Sequence, residues 1–214
     1  MMYYTNLTSK FVPRIGVLGI QGDYAAHAEA LREAGAEPFL VRTPEDLRPD
    51  GRPLDGLILP GGESTTMLKF LEKLSFFEAL EKFGRERPVF GTCAGAILLA
   101  REVQHPPQRS LGLLDAVVER NAYGRQIDSS IEHEPTTLGG EPMEMVFIRA
   151  PRILEAGKDV EVLALRDGFP VLVRQGKLLA ATFHPELSAD RRLHLLFVDM
   201  VRAAAVPPKS VPRP

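Results

Sequence analysis

Short apolar runs alternate with segments of helical spacing through the first half of the chain. Ile15-Gly16-Val17-Leu18-Gly19-Ile20 is almost wholly apolar, as expected of a strand buried on both faces. Gln21-Gly22-Asp23 ends that run, and Asp23 is suited to cap the helix that follows. His27, Ala30, Leu31 and Ala34 share one face of this helix, and Gly35 stands where a C-terminal glycine belongs. Pro38-Phe39-Leu40-Val41 reads as a second strand and residues 54–59 as a third. Strands alternating with helices at this spacing predict βαβ units and a parallel sheet.

Pro60-Gly61-Gly62-Glu63-Ser64-Thr65-Thr66 interrupts the alternation and leads into helical segments at 67–74 and 76–83. Pro88-Val89-Phe90 then runs into Gly91-Thr92-Cys93-Ala94-Gly95 and the apolar Ala96-Ile97-Leu98-Leu99-Ala100. That order predicts a buried strand, a sharp turn and a helix, with Cys93 at the turn. From Leu111 onward short strands are separated by Gly, Pro and Asn, at 116–118, 145–148, 160–165, 170–174 and 178–183. Arg174-Gln175-Gly176-Lys177 reads as a hairpin turn between the last two. A final helix carries Leu193, Leu196, Phe197, Met200 and Val201 on one face. With no internal repeat and no linker, one domain is expected over residues 15–205. Residues 1–14 form an N-terminal extension, and the proline-rich 206–214 is expected to be a disordered tail.

Composition narrows the functional classes. The 214 residues suit one α/β domain, and 44% hydrophobic with 25% charged residues is ordinary for a globular chain. A formal net charge of −2 gives no electrostatic case for nucleic acid or an anionic membrane. A single cysteine forms no internal disulfide, Met1 to Lys10 lack the apolar core of a secretory signal, and no run approaches roughly 18 apolar residues. A cytoplasmic protein is expected.

Cys93 is the centre of the candidate chemistry. Glycines on both sides of a strand-to-helix turn let another backbone or a ligand approach closely, and a thiol at a helix start feels a dipole that favours thiolate. The competing reading of a lone cysteine is a small core residue. A cysteine nucleophile needs a base and a group that orients the base. Of five histidines, His184 alone directly follows an apolar strand, and it opens His184-Pro185-Glu186. Cys93, His184 and Glu186 are therefore a candidate triad of nucleophile, base and orienter; the other reading of His-Pro-Glu is a capped turn. Gly61, Gly62 and the amide of Ala94 are candidate oxyanion donors, although Pro-Gly-Gly is also an ordinary loop sequence. Among Arg120, Arg125, Arg149 and Arg152, the first and third lie at ends of apolar strands and are the better placed to bind a carboxylate. Gly16, Gly19 and Gly22 do not have the dinucleotide-binding spacing, and there is no P-loop. The spacing offers no metal site, and Glu132-His133-Glu134 is expected to be a solvated loop. No cofactor is expected.

The turn sequence and His184-Pro185-Glu186 resemble those of the class I, triad-type glutamine amidotransferases. Within that class the likeness is to the glutaminase subunits of pyridoxal 5′-phosphate synthases. It is carried by Gly19-Ile20-Gln21-Gly22-Asp23, Pro60-Gly61-Gly62-Glu63-Ser64-Thr65, Asn121-Ala122-Tyr123-Gly124-Arg125-Gln126 and Phe147-Ile148-Arg149-Ala150-Pro151. The resemblance implies a flavodoxin-like α/β fold with a largely parallel twisted sheet flanked by helices. It implies hydrolysis of L-glutamine to L-glutamate and ammonia through a glutamyl thioester on Cys93, with His184 as acid and base and Glu186 holding the imidazole. It also implies that Gly62, Glu63, Ser64, Arg120, Ile148 and Arg149 bind substrate. The implied partner is a (β/α)8-barrel synthase subunit that receives the ammonia, in an assembly of twelve copies of each subunit. Gln21 is implied to respond to docking. The stretch before Ile15 departs from the family, and either a start-site difference or a contact with the synthase is expected of it.

Three other readings compete. A histidine- or purine-pathway amidotransferase subunit is opposed by Gly124-Arg125-Gln126 and by Pro60-Gly61-Gly62-Glu63-Ser64. A stand-alone cysteine hydrolase is disfavoured by Glu186 two residues after the histidine. A catalytically idle binding module is disfavoured by the intact triad.

Overall fold

A computed structural model describes residues 11–20, 22–73, 75–120 and 129–205. Its frame is a seven-stranded sheet. The strands in chain order are β1 (Arg14–Leu18), β2 (Glu37–Val41), β3 (Gly56–Leu59) and β4 (Val89–Thr92), followed after an excursion by β10 (Glu161–Arg166), β11 (Phe169–Gln175) and β12 (Leu178–Ala181). The excursion contains β5 (Ala100–Gln104), β6 (Leu114–Glu119), β7 (Ser129–Glu134), β8 (Met143–Ile148) and β9 (Arg152–Ala156). In the large sheet the order is β10-β11-β12-β4-β3-β1-β2, with β12 to β2 mutually parallel and β11 antiparallel to both its neighbours. The mixed sheet arises because β11 and β12 are a hairpin, closing around Gly176 and Lys177 with Gln175 opposite Leu178.

The central strands β3, β4 and β12 are buried at every position, which is why they read as unbroken apolar runs. Their side chains still divide by parity between two cores. Ile15, Val17, Ile58, Phe90 and Leu179 face one side with Leu31 of α1 (Tyr24–Glu33) and with Leu193, Phe197, Val198 and Val201 of α5 (Arg192–Ala205). Leu57, Leu59, Val89, Leu178 and Ala180 face the other. There they meet Met67 and Leu71 of α2 (Ser64–Lys73), Phe76, Phe77, Leu80 and Phe83 of α3 (Phe76–Glu86), and Ile97 to Leu99 of α4 (Ala94–Leu99). A three-stranded sheet β5-β6-β9 and a ribbon β7-β8 complete the fold.

Several boundaries differ from expectation. The third strand starts at Gly56 rather than 54, because Asp55 exchanges hydrogen bonds with Arg14: its N–H donates to the Arg14 carbonyl, and its carboxylate accepts from the Arg14 N–H, both at 2.8 Å. Leu54 is fully buried beside it without being in the strand. The apolar run after the cysteine turn divides, so that α4 stops at Leu99 and β5 begins at once with Ala100. Glu132-His133-Glu134 is not a loop but part of β7, paired antiparallel with β8. Alternating strand geometry sends His133 to the face opposite Glu132 and Glu134, so the three cannot converge on one ion. The first strand begins at Arg14, one residue before the expected domain boundary.

Candidate active site

Cys93 sits between β4 and α4 with φ 47° and ψ −106°. A non-glycine residue in such a conformation costs on the order of 1–3 kcal/mol and persists where the surroundings enforce it. Here the enforcement is visible. The Cys93 N–H donates to the Ala181 carbonyl at 2.8 Å, fastening the elbow to β12. Gly91 and Gly95 are packed too closely for any side chain: a Cβ on Gly91 would stand 2.6 Å from the Gly95 backbone, and one on Gly95 would collide with the Leu59 carbonyl. Cys93 is 6% exposed and lines a cleft with Gly62, Glu63, Ser64, Arg120 and Arg149.

The same strand β12 delivers the base. Three residues beyond it, the His184 N–H donates to the Val146 carbonyl of β8 at 2.8 Å, fixing the chain's exit. A single 3₁₀ turn, Pro185–Leu187, then folds Glu186 back on the ring. His184 Nδ1 lies 2.7 Å from Glu186 Oε1, which leaves Nε2 for the thiol. Burial alone would lower the His184 pKa. Hydrogen bonds to Cys93 and Glu186, with the charge on both, overcome that and push it up to about 10. Burial likewise opposes ionisation of Glu186, and the bond to His184 with the nearby histidines outweighs it, so its pKa lies below the ordinary value.

Gly61 lies flat against this base: a Cβ there would run into the His184 ring. Gly62 follows with φ 140° and lines the cleft with Glu63 and Ser64. Ala94, the first residue of α4, has an amide with no acceptor inside its own helix. The facing wall is Arg120, Ile148, Arg149 and Pro151, with Ile97 at the base. Arg120 is held by Thr65, whose Oγ1 accepts from the guanidinium at 2.8 Å, with the Glu63 carboxylate 3.9 Å away. Arg149 takes a left-handed conformation, φ 45°. The Glu63 side chain turns to the start of α2, accepting from the N–H groups of Thr65 and Thr66 and from the Thr66 hydroxyl. These bonds outweigh partial burial and hold its pKa down at about 2.

The model of the SNO glutamine amidotransferase family matches residues 17–203. The chain belongs to this family. It is 58% identical over 189 residues to the pyridoxal 5′-phosphate synthase subunit PdxT of Koribacter versatilis, covering 88% of this chain and 96% of that one. To the protein of the same name from Thermotoga neapolitana it is 52% identical over 191 residues, covering 88% and 100%. A crystal structure of a glutamine amidotransferase superposes with a TM-score of 0.80 at 46% identity, over 88% of this chain and 98% of that one.

The amidotransferase fold thus brings Cys93, His184 and Glu186 into one constellation and puts Gly62, Glu63, Ser64, Arg120, Ile148 and Arg149 around one cleft. Arg152 is elsewhere, 3.8 Å from Glu119 and over the Phe169 ring. Gln21, Arg125 and the rest of the Asn121-to-Gln126 motif lie outside the described residues. Sequence reasoning missed Ile97 and Pro151, and also Gln108, whose Oε1 accepts from the Ser64 hydroxyl at 3.2 Å. It gave no role to His27 or His194, yet both are fully buried, His27 against Glu186 and His194 against His27. The signal available was a histidine standing within each helix's apolar stripe.

Proposed function

We propose that this glutamine amidotransferase hydrolyses L-glutamine in the cytoplasm as the glutaminase subunit of a pyridoxal 5′-phosphate synthase, with Cys93 as nucleophile. The observation that carries the reading is Cys93 held in a strained elbow lining a cleft, beside an imidazole whose other nitrogen is 2.7 Å from a buried carboxylate. The Cys93 sulfur attacks the side-chain amide carbon, and its oxygen takes the negative charge. Amides of the Gly61-Gly62 loop and Ala94 would donate to it. His184 gives its proton to the amide nitrogen, the C–N bond breaks and ammonia leaves. Water then attacks the thioester carbon while His184 takes the water's proton, and cleavage of the C–S bond releases glutamate and restores the thiolate. Glu186 keeps the imidazole oriented and compensates its charge through both steps.

Arg120, Arg149 and the Gly62-Glu63-Ser64 loop would hold the amino-acid end of the substrate, the arginines meeting its carboxylate. The names of the relatives, and the match over their full or nearly full length, support a second subunit of a pyridoxal 5′-phosphate synthase as the acceptor of ammonia, the (β/α)8 barrel that the family resemblance implies. Gly22 presses on the Gly61 carbonyl: a Cβ on Gly22 would collide with that oxygen. This contact supports a role for the neighbouring Gln21 in linking docking to the oxyanion loop.

The test is glutamate release from L-glutamine with and without the cognate synthase subunit, following pyridoxal phosphate in the same mixture. Release that rises with the partner, cofactor formed from glutamine, and loss of both by several orders of magnitude in Cys93→Ser is the expected result. Retained hydrolysis in a correctly folded Cys93→Ser protein would sink the mechanism. Hydrolysis indifferent to the partner would keep the triad and discard the synthase.

A further inference from the structure

Behind the triad lies a group of polar side chains that the reaction scheme above does not use. His27 of α1 and His194 of α5 are both 0% exposed, and they meet Thr92, the residue before the nucleophile, and Glu186. His27 Nε2 is 3.3 Å from Glu186 Oε2 and 3.3 Å from Thr92 Oγ1, while its Nδ1 is 3.1 Å from His194 Nε2. Two helices and a central strand each place a polar group where an apolar one would cost less to bury.

The protons can be placed by elimination. Glu186 is 5% exposed, and its Oε1 is committed to His184. Its Oε2 lies 3.3 Å from His27 Nε2, close enough for charge to be felt, and has no hydrogen-bond partner among the described residues. An ionised carboxylate only accepts and a bare lone pair facing it would repel it, so we assign the hydrogen to His27 Nε2, with Thr92 Oγ1 accepting from it at 3.3 Å. A proton on His27 Nε2 makes Nδ1 of a neutral ring an acceptor, and His194 Nε2 must then be the donor. That leaves His194 Nδ1 as a bare acceptor, and it has no partner among the described residues. A second proton on either ring is opposed. Burial lowers the His27 pKa against the pull of Glu186 and Asp23, with His184 adding to the lowering. Burial with His27 and Arg191 brings His194 down to about 3, against Glu186.

We propose that His27 is a positioning residue for the triad: its Nε2–H faces the second oxygen of Glu186 and ties it to the strand bearing Cys93, and His194 fixes the tautomer that makes this possible. The inference rests on the triad reading above. Glu186 aims His184 through Oε1 only if the carboxylate cannot rotate or take a proton, and His27 opposes both. The ionisable groups acting on Glu186 are His184 and His27. Removal of the His27 N–H therefore raises the pKa of Glu186, and activity is lost at a higher pH on the acid side.

The experiment uses the chain with its synthase subunit, measuring kcat and KM for L-glutamine against pH in His27→Leu and His27→Gln. Gln returns an amide N–H near the Nε2 position, whereas Leu returns none. Expected in His27→Leu is a fall in kcat of about tenfold or more with KM little changed and the acid limb displaced upward, both reversed at least in part in His27→Gln. Equal losses in both variants with an unmoved acid limb, or no loss in either, overturn the proposal. Should the Leu variant not fold, ¹⁵N spectra of the histidine rings in the unaltered protein decide: neutral Nε2–H tautomers at both His27 and His194 support it, and an Nδ1–H or doubly protonated His27 refutes it. Failure of the triad reading itself would show separately, as hydrolysis surviving in Cys93→Ser.

Discussion

In the proposed reaction, His184 stores the proton that the leaving amine will need. An ordinary histidine is mostly neutral above pH 7, but the Cys93 sulfur and the Glu186 carboxylate raise this one to about 10 despite its burial. Because the protonated ring is the competent acid, kcat/KM for glutamine should hold across neutral pH and decline as pH rises through about 10. A pH–rate profile of the free enzyme checks this. An alkaline limb near the ordinary histidine value would mean that the ring is not held by both partners. The nucleophile and base were legible as residue types at a strand end. The proton inventory was not, because it depends on His27, which lies far from Glu186 in sequence, and on its meeting with His194 once α1 and α5 pack on the same face of the sheet.

At the scale of elements, the wall of the cleft is a helix terminus. Glu63 caps α2 with three hydrogen bonds to Thr65 and Thr66, so its carboxylate serves the helix that presents Ser64 as well as the cleft beside it. A neutral isostere, Glu63→Gln, should cost roughly 0.5–2 kcal/mol of stability at neutral pH. Its pKa in the folded state, about 2, lies below the ordinary 4.5. The contribution is therefore present above 4.5 and lost as pH falls through 2. Melting temperatures of the two proteins should differ most above pH 4.5 and converge toward pH 2; a gap independent of pH would mean that the charge is not what caps the helix. The same local physics decided which elements could be read. β1, β3, β4 and β12 are buried on both faces and appear as apolar runs between turn residues. β5 follows α4 with no turn residue between, and β7, Ser-Ser-Ile-Glu-His-Glu, has no apolar alternation because neither of its faces is buried. Their partners β6 and β8 were legible as strands, but no local signal announces which strands pair with them.

The whole molecule gathers its chemistry at one end of the sheet. β3 leads to the Gly61-Gly62 loop, β4 to Cys93 and β12 to His184, three neighbouring parallel strands whose carboxyl ends open together. Among the described residues, several contacts brace these strands. α1 and α5 back the triad, β8 holds the His184 amide, and α5 is tied at its far end by Arg202, which donates to the Gly35 carbonyl at 3.1 Å. The family match ends within the same limits, at 17–203, and the Thermotoga neapolitana relative is accounted for over its whole length by 88% of this chain. A protein trimmed to residues 11–205 should therefore melt as the full chain does, hydrolyse glutamine at the same basal rate, and respond equally to the synthase subunit. Melting curves and glutamate release with and without the partner measure all three. A trimmed protein with unchanged melting and basal rate but a weakened response would assign the ends a docking contact particular to this chain. A lowered melting temperature would instead show that they brace the sheet, against the packing argued above.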